Sequence, residues 1–489
     1  MTVLISTVDL IIFIVYLVGM LGVGFYFMRR NKDIDDYYVG GRSMNSLHIG
    51  LSVVATDVGG GFSIGLGGLG FAIGLAGSWM LFTGLIGAWL SAVLLIPRVF
   101  KLINKHQLFT FPEIFLHLFN KRVALVAGIV SGIGYIGFTS AQILAGAKLA
   151  SATFPTLNLN QAVLIMGITA VVYTVFGGLK AVIYTDTVQW LLLMVGLIFI
   201  GIPLGYKAIG GWEGIQSTLD PSFLDITNVS WQQLVNWGIT IIPIWFIGMT
   251  LYQRIYASRN EKTARKAWFI AGIFEWPIMA FMGVLLGLFA RVAVQQGLFE
   301  GLGYGALSEM DSEMGLPVML RTVLPAGLMG LMMSAYFSAI MSTADSCLMA
   351  ASGNLVTDIL SSFLPVKKEK LLKYSQWATL ALGAVALLLA TLMTNVLDLM
   401  LLSYSFMVSG LLVPLLAAIF FKNKNPAAAL LAMITGGTTT LVLELLKKQE
   451  MLSMPLGLDP NIFGISLSLV VYLLFSEILK DSKNGTYHH

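Results

Sequence analysis

Apolar runs follow one another along almost the whole chain, most of them 20 residues or longer. They fall at roughly 4–28, 45–74, 76–100, 122–152, 161–178, 184–208, 233–253, 264–291, 318–360, 371–395, 398–421, 426–446 and 461–480. About 20 apolar residues of helix cross the hydrocarbon core of a bilayer. Only helices and closed barrels satisfy the backbone there, and a barrel would show short alternating strands instead. The thirteen runs therefore predict an all-α integral membrane protein surrounded by lipid. Composition agrees: 57% of residues are hydrophobic and 11% charged, against about 25% charged in an ordinary globular domain.

The basic residues orient the chain. With the N-terminus outside, 23 of the 29 Lys and Arg residues fall in cytoplasmic segments, including a basic stretch at 254–266 that begins with Arg254. Cytoplasmic loops carry that excess in membrane proteins, so the C-terminus is expected in the cytoplasm and the protein in the plasma (cell inner) membrane. The first run has no basic residue before it and Arg29-Arg30 after it, as a signal anchor does and a cleaved secretory peptide does not. No loop is long enough to hold a soluble domain, so residues 1–489 read as a single transmembrane domain. The lone Cys347 sits inside an apolar run, which excludes disulfides and Cys-ligated metal. No basic patch interleaved with aromatics points to nucleic acid. No nucleophile–base constellation points to an enzyme.

Polar residues stand out against this background. In Ser338-Ala-Ile-Met-Ser-Thr-Ala-Asp-Ser346, helical spacing sets Ala339, Ser342, Thr343 and Ser346 on one stripe with Asp345 at its border. Small residues and hydroxyls serve helix packing in membranes. A carboxylate there costs roughly 2.5 kcal/mol or more and usually has a job. Such an oxygen cluster suits a hard cation like sodium, whose hydration shell several oxygens must replace together.

The second run holds Ala55-Thr-Asp-Val-Gly-Gly-Gly61-Phe-Ser63. Each glycine weakens a helix by about 1 kcal/mol relative to Ala, so this helix is expected to unwind over 55–61 and free carbonyls such as those of Ala55 and Val58. Irregular backbone at that depth is tolerated only beside a cavity. The seventh run, Thr240-Ile-Ile-Pro-Ile-Trp-Phe-Ile-Gly-Met-Thr250, can break at Pro243 or Gly248. These breaks open two successive five-helix blocks, 45–208 and 233–421. Five is odd, so the second block starts from the opposite side of the membrane, the pattern of an inverted repeat with a central site. Residues 4–28 then form an extra N-terminal helix, and 426–480 two extra C-terminal helices. Asp186 lies about a turn into the sixth run and Glu275 near the middle of the eighth. Thr110-Phe-Pro-Glu113 reads as a helix start.

Ala55–Gly61, Gly177-Gly-Leu-Lys-Ala-Val-Ile-Tyr-Thr-Asp-Thr-Val-Gln189, Gln253-Arg254 and Ala339–Ser346 together resemble the sodium:solute symporter family, over residues 10 to 445. The resemblance implies the thirteen-span LeuT-type architecture and a secondary active transporter working by alternating access. It implies a general sodium site from the carbonyls of Ala55, Val58 and Ala339 and the hydroxyls of Ser342 and Thr343. Asp186, Ser342 and Ser346 match a second sodium site found in some members, where Asp345 replaces a hydroxyl. One or two sodium ions and a small-molecule solute are thus the expected partners, with the protein acting as a monomer.

The solute positions depart from the family's sugar branch. Asp57 stands at an Asn, Phe62 at a His, Ser78 at a Glu, Glu275 at a Lys and Ser405 near a Gln, whereas Trp245 is kept. In the choline branch Asp57 would replace a cage Trp, while the proline branch carries Asp there. The fourth run has no central arginine to clamp a sialic-acid-type carboxylate. A pocket of Asp57, Gly60, Phe62, Ser78, Trp79, Tyr135, Trp245, Phe246, Glu275, Tyr404 and Ser405 suits an amino acid or another amine-bearing or zwitterionic solute. Other possibilities are a sodium symporter for a sugar or monocarboxylate, a proton-coupled carrier and a transporter-like sensor.

Overall fold

The computed structural model describes residues 6–28, 42–57, 59–154, 156–176, 179–363, 368–421 and 424–484. Apart from an isolated bridge between Met44 and Ser258, these residues form helices and the loops between them. Eight helical stretches among them are long and apolar enough to cross a membrane, nine if a bent pair counts as one span.

In chain order the main helices are α1 (Thr7–Met28), α2 (Ser46–Asp57), α3 (Gly59–Ile73), α4 (Trp79–Leu90), α5 (Lys121–Thr153), α6 (Leu159–Phe176), α7 (Leu179–Gly196), α8 (Trp231–Ile247) and α9 (Met249–Ala257). They continue as α10 (Glu261–Ile273), α11 (Ala280–Gln295), α12 (Gly315–Val323), α13 (Leu328–Gly353), α14 (Lys368–Leu392), α15 (Val396–Phe420), α16 (Pro426–Lys448) and α17 (Pro460–Asn484). The apolar stretch 318–360, expected as one run, is divided between α12 and α13. Gly327, at φ +87, takes a left-handed turn just before α13, a conformation open to glycine without a steric penalty.

Helix α13 is the centre of the molecule. Every residue from Met332 to Gly353 is buried, and the helix packs on α1, α3, α5, α7 and α14. Its start is held from outside: the Asp9 carboxylate on α1 accepts the amides of Gly327 and Gly330, each at 2.7 Å. These are donors that a helix N-terminus leaves without intrahelical partners.

Helix α3 lies on α11 with the two backbones in contact. A Cβ at Gly287 would overlap the Gly67 carbonyl, and one at Gly70 the Val284 carbonyl. The later glycines of this segment thus serve close packing. The interruption itself is narrow. Helix α2 runs on through Asp57, and α3 resumes at Gly59 with φ +50, so the opening is shorter than the expected 55–61. In the second broken pair the bend is 41° and falls at Gly248, while Pro243 stays inside α8.

Candidate functional site

The α2/α3 interruption faces the middle of α13. Thr343 Oγ1 donates to the Ala55 carbonyl at 2.9 Å and lies 3.1 Å from that of Ala339. A Cβ at Gly59 would come within 2.5 Å of the same hydroxyl, so glycine is what lets the restarted helix sit so close. Ending α2 here leaves its last carbonyls without helical amide partners, free to turn toward a ligand. Ala55, Ala339 and Thr343, three of the five expected sodium ligands, are brought together. Ser342 points instead to Asp186. Val58 lies outside the described residues.

One step away, a buried arginine knits four helices. Arg254, fully shielded from solvent, donates from Nη2 to Thr56 Oγ1 at 2.7 Å and Ser346 Oγ at 2.8 Å, and from Nε to Ser52 Oγ at 3.3 Å. Its Nη2 lies 3.5 Å from Asp186 Oδ2. Asp186 also accepts the hydroxyls of Ser52, at 2.5 Å, and of Ser342. The expected second cation set therefore divides. Asp186, Ser342 and Ser346 gather around a guanidinium, whereas Asp345 turns to α6 and accepts Thr174 Oγ1 at 2.5 Å. The other Asp345 oxygen has no hydrogen-bond partner among the described residues. Arg254 is accordingly an interior charge rather than the first residue of a basic loop, and α9 extends past it to Ala257.

Around Asp57 the structure assembles an aromatic wall. Tyr404 donates to Asp57 Oδ1 at 3.4 Å. The Tyr404 ring stacks on Phe138 with centroids 4.9 Å apart and lies 6.1 Å from Phe62. Two turns along α5 from Tyr135, Gln142 accepts the amide of Gly61 at 3.2 Å. Tyr135 itself bonds Thr250, with its hydroxyl 3.1 Å from both the Thr250 hydroxyl and amide. Gly60 lies in the first turn of α3.

Glu275 reaches the same place from the other side. It sits in the π-helical turn Phe274–Met279 between α10 and α11, fully buried. Its carboxyl is within hydrogen-bonding reach of that of Asp57, and it presses on α4 so closely that a Cβ at Gly84 would overlap Oε2. Neither Glu275 oxygen accepts from an N–H or O–H group among the described residues. Trp245 is buried three residues further along α4, against Gly87, and edge-on to Trp268 at 6.3 Å.

The remaining expected pocket residues are placed as follows. Ser78 closes the short turn Gly74–Ser78, its hydroxyl buried and without a partner among the described residues. The Phe246 carbonyl accepts the Tyr252 hydroxyl at 2.8 Å, and that of Ser405 accepts Ser409 at 2.7 Å. Trp79 turns away and bonds the Ile226 carbonyl in the loop before α8 at 2.8 Å. Phe138, Gln142 and Arg254 carry roles that the sequence reading did not assign. Gln142 and Arg254, as polar groups within or at the end of apolar runs, carry the same signal that singled out Asp345. Glu113 holds the amides of Phe109 and Thr110, at 2.7 and 3.3 Å, at the start of Pro112–Leu118, as its position in the sequence predicts.

The model of the sodium:solute symporter family matches residues 37–436. The chain is 26% identical to the osmoregulated proline transporter OpuE of Bacillus subtilis (strain 168), over 97% of this chain and 95% of that protein. It is likewise 26% identical to the sodium/pantothenate symporter of Escherichia coli (strain K12), covering 94% of each. Among solved structures, a Na+-coupled sialic acid symporter in a substrate-bound outward-open state superposes with a TM-score of 0.78 at 22% identity, over 97% of this chain and 98% of that one. That likeness establishes a shared fold. The match of the family model over most of the chain establishes more: this multi-pass membrane protein belongs to the sodium:solute symporter family.

Proposed function

We propose that the protein is a secondary active symporter that draws a small amine-bearing or zwitterionic solute into the cell with one or two sodium ions. The observation that carries this reading is the Thr343 hydroxyl between the Ala55 and Ala339 carbonyls. Sodium at this point would sit among the two carbonyl oxygens and the Thr343 oxygen, the hydroxyl keeping its proton and turning it away from the Ala55 carbonyl. Val58 and Ser342 would complete the shell, Ser342 after turning from Asp186. The ion would thereby tie the α2/α3 interruption to α13, and the conformation in which they meet would be the one it stabilises. Coupling requires such a difference, because an ion that binds two conformations equally shifts neither. The solute would occupy the region between Asp57, Phe62, Tyr404, Tyr135, Trp245 and Glu275.

The same proposal includes thirteen spans, an inverted repeat of 45–208 and 233–421 with flanking helices at 4–28 and 426–480, an outside N-terminus and a monomer in the plasma membrane. The matching positions of the interrupted pairs α2/α3 and α8/α9, each opening one block, support the repeat.

The test is sodium-dependent thermal stabilisation of the purified protein, titrated in NaCl against KCl. Thr343→Ala is expected to weaken the apparent sodium affinity by about tenfold or more, equivalent to about 1.4 kcal/mol, and Ser342→Ala to weaken it less. Unchanged sodium titrations in both variants would remove the site.

A further inference from the structure

We infer that Gln142 is a positioning residue for the sodium site: by accepting the Gly61 amide across a helix interface, it sets where α3 restarts and so how the end of α2 is presented to the ion. This rests on the symporter reading and adds to it a residue outside the proposed ligand set.

Gln142 lies well inside α5, fully shielded from solvent, in an apolar run where a polar side chain is costly unless it is bonded. Its carboxamide oxygen accepts the Gly61 N–H at 3.2 Å, and its nitrogen lies 3.8 Å from the Met400 sulfur on α15. Only the oxygen can accept an N–H, so the Gly61 amide fixes which way the carboxamide points. Gly61 is the third residue of α3, and the first amides of a helix have no acceptor within that helix. The usual remedy is an oxygen-bearing side chain just before the helix. Here that residue is Val58, whose side chain carries no acceptor. Helix α5 supplies the oxygen instead.

Two observations give this contact a purpose beyond packing. The first is fit. A Cβ at Gly61 would fall 2.6 Å from both the oxygen and the nitrogen of Gln142, so the bare backbone is what admits the carboxamide. With Gly59 set against Thr343, the first turn of α3 is fitted to one side chain on α5 and one on α13. The second is repetition. Two turns back along the same face of α5, the Tyr135 hydroxyl accepts the amide of Thr250 at 3.1 Å. Thr250 is the second residue of α9, so one face of α5 caps the restarted half of both interrupted helices. Shifting a cap moves the break beside it. At α2/α3 that break adjoins the Ala55 carbonyl held by Thr343, and the bond to Gly61 therefore controls the spacing of the oxygens offered to the ion.

The experiment measures binding of radiolabelled sodium to the purified full-length protein by scintillation proximity. It is run at one temperature well below melting, so that a change in stability does not read as a change in affinity. Gln142→Leu removes the acceptor at similar volume. It is expected to weaken sodium binding about fivefold or more, the worth of roughly one hydrogen bond, while keeping a cooperative melt in KCl. Ser140→Ala is the control. Ser140 is equally buried on the same helix, and its hydroxyl bonds the Ile136 carbonyl at 2.8 Å, so this variant should bind sodium as wild type does. If Gln142→Leu does not fold, Gln142→Asn, too short to reach Gly61, takes its place with the same expectation. An affinity within about twofold of wild type in the Gln142 variant would overturn the inference. So would an equal loss in Ser140→Ala, which would reduce Gln142 to packing. Wild-type protein that binds no sodium sinks the symporter reading and this inference with it, whereas normal wild-type binding with an unchanged Gln142 variant sinks the inference alone.

Discussion

Two buried acidic centres lie beside the same interrupted helix and are treated in opposite ways. Asp186 is supplied with a guanidinium and two hydroxyls from within the chain. Asp57 receives one long bond from Tyr404 and faces a second carboxyl. The first centre is complete as it stands, and removing either partner strands a charge. The second shows no basic side chain among the described residues, and on the proposed reading it would be completed by what enters it. The difference separates an acid that holds helices together from one whose surroundings leave it open to a ligand under the proposed function, which burial alone does not distinguish.

The sharpest way to break this comparison is Arg254→Met. It strands Asp186 and three hydroxyls, and loss of one partner from a buried ion pair costs about 3–5 kcal/mol. Thermal unfolding of the purified variant should show that loss, and adding Asp186→Asn should restore part of it. Unaltered stability in Arg254→Met would make the first centre no more complete than the second. A smaller effect is expected at the edge of the second centre. Gly59→Ala puts a side chain at φ +50 and within 2.5 Å of the Thr343 hydroxyl. Strain of that kind costs about 1–3 kcal/mol, and the sodium-induced rise in melting temperature should shrink with it. The smallest change is Tyr404→Phe. Its 3.4 Å bond is long, so solute affinity should fall by no more than about 1 kcal/mol. A larger fall would mean that Asp57 depends on the chain for its partner, as Asp186 does.

Much of this was legible in the sequence, for identifiable reasons. Glycines announce an interruption after Ala55 because helix propensity is local. They do not announce its length, because Gly67 and Gly70 are taken up by contact with α11, a partner more than 200 residues away. Pro243 and Gly248 offered equal places for the second bend. The structure bends at Gly248 because α8 accommodates Pro243 within its helix. Arg254 was legible as a residue but not as a partner. A basic residue at the end of an apolar run looks like a loop charge until three other helices are seen to bring oxygens to it. The polar residues of α13 do not all face one neighbour. Thr343 meets α2, Ser342 meets α7, Ser346 meets α9 and Asp345 meets α6. Each step along a helix turns toward a different neighbour.

The contact of Asp9 with the amides of Gly327 and Gly330 has a mechanical side. A shared carboxylate oxygen ties the beginning of the first helix to the root of the most enclosed one, and Gly330 lets the Asp9 backbone approach closely. The two therefore share a pivot. Tilting or sliding of residues 328–353 during a transport cycle would drag that end of residues 7–28 along, so a probe attached near Thr7 would register movement in a part of the protein that no label can reach.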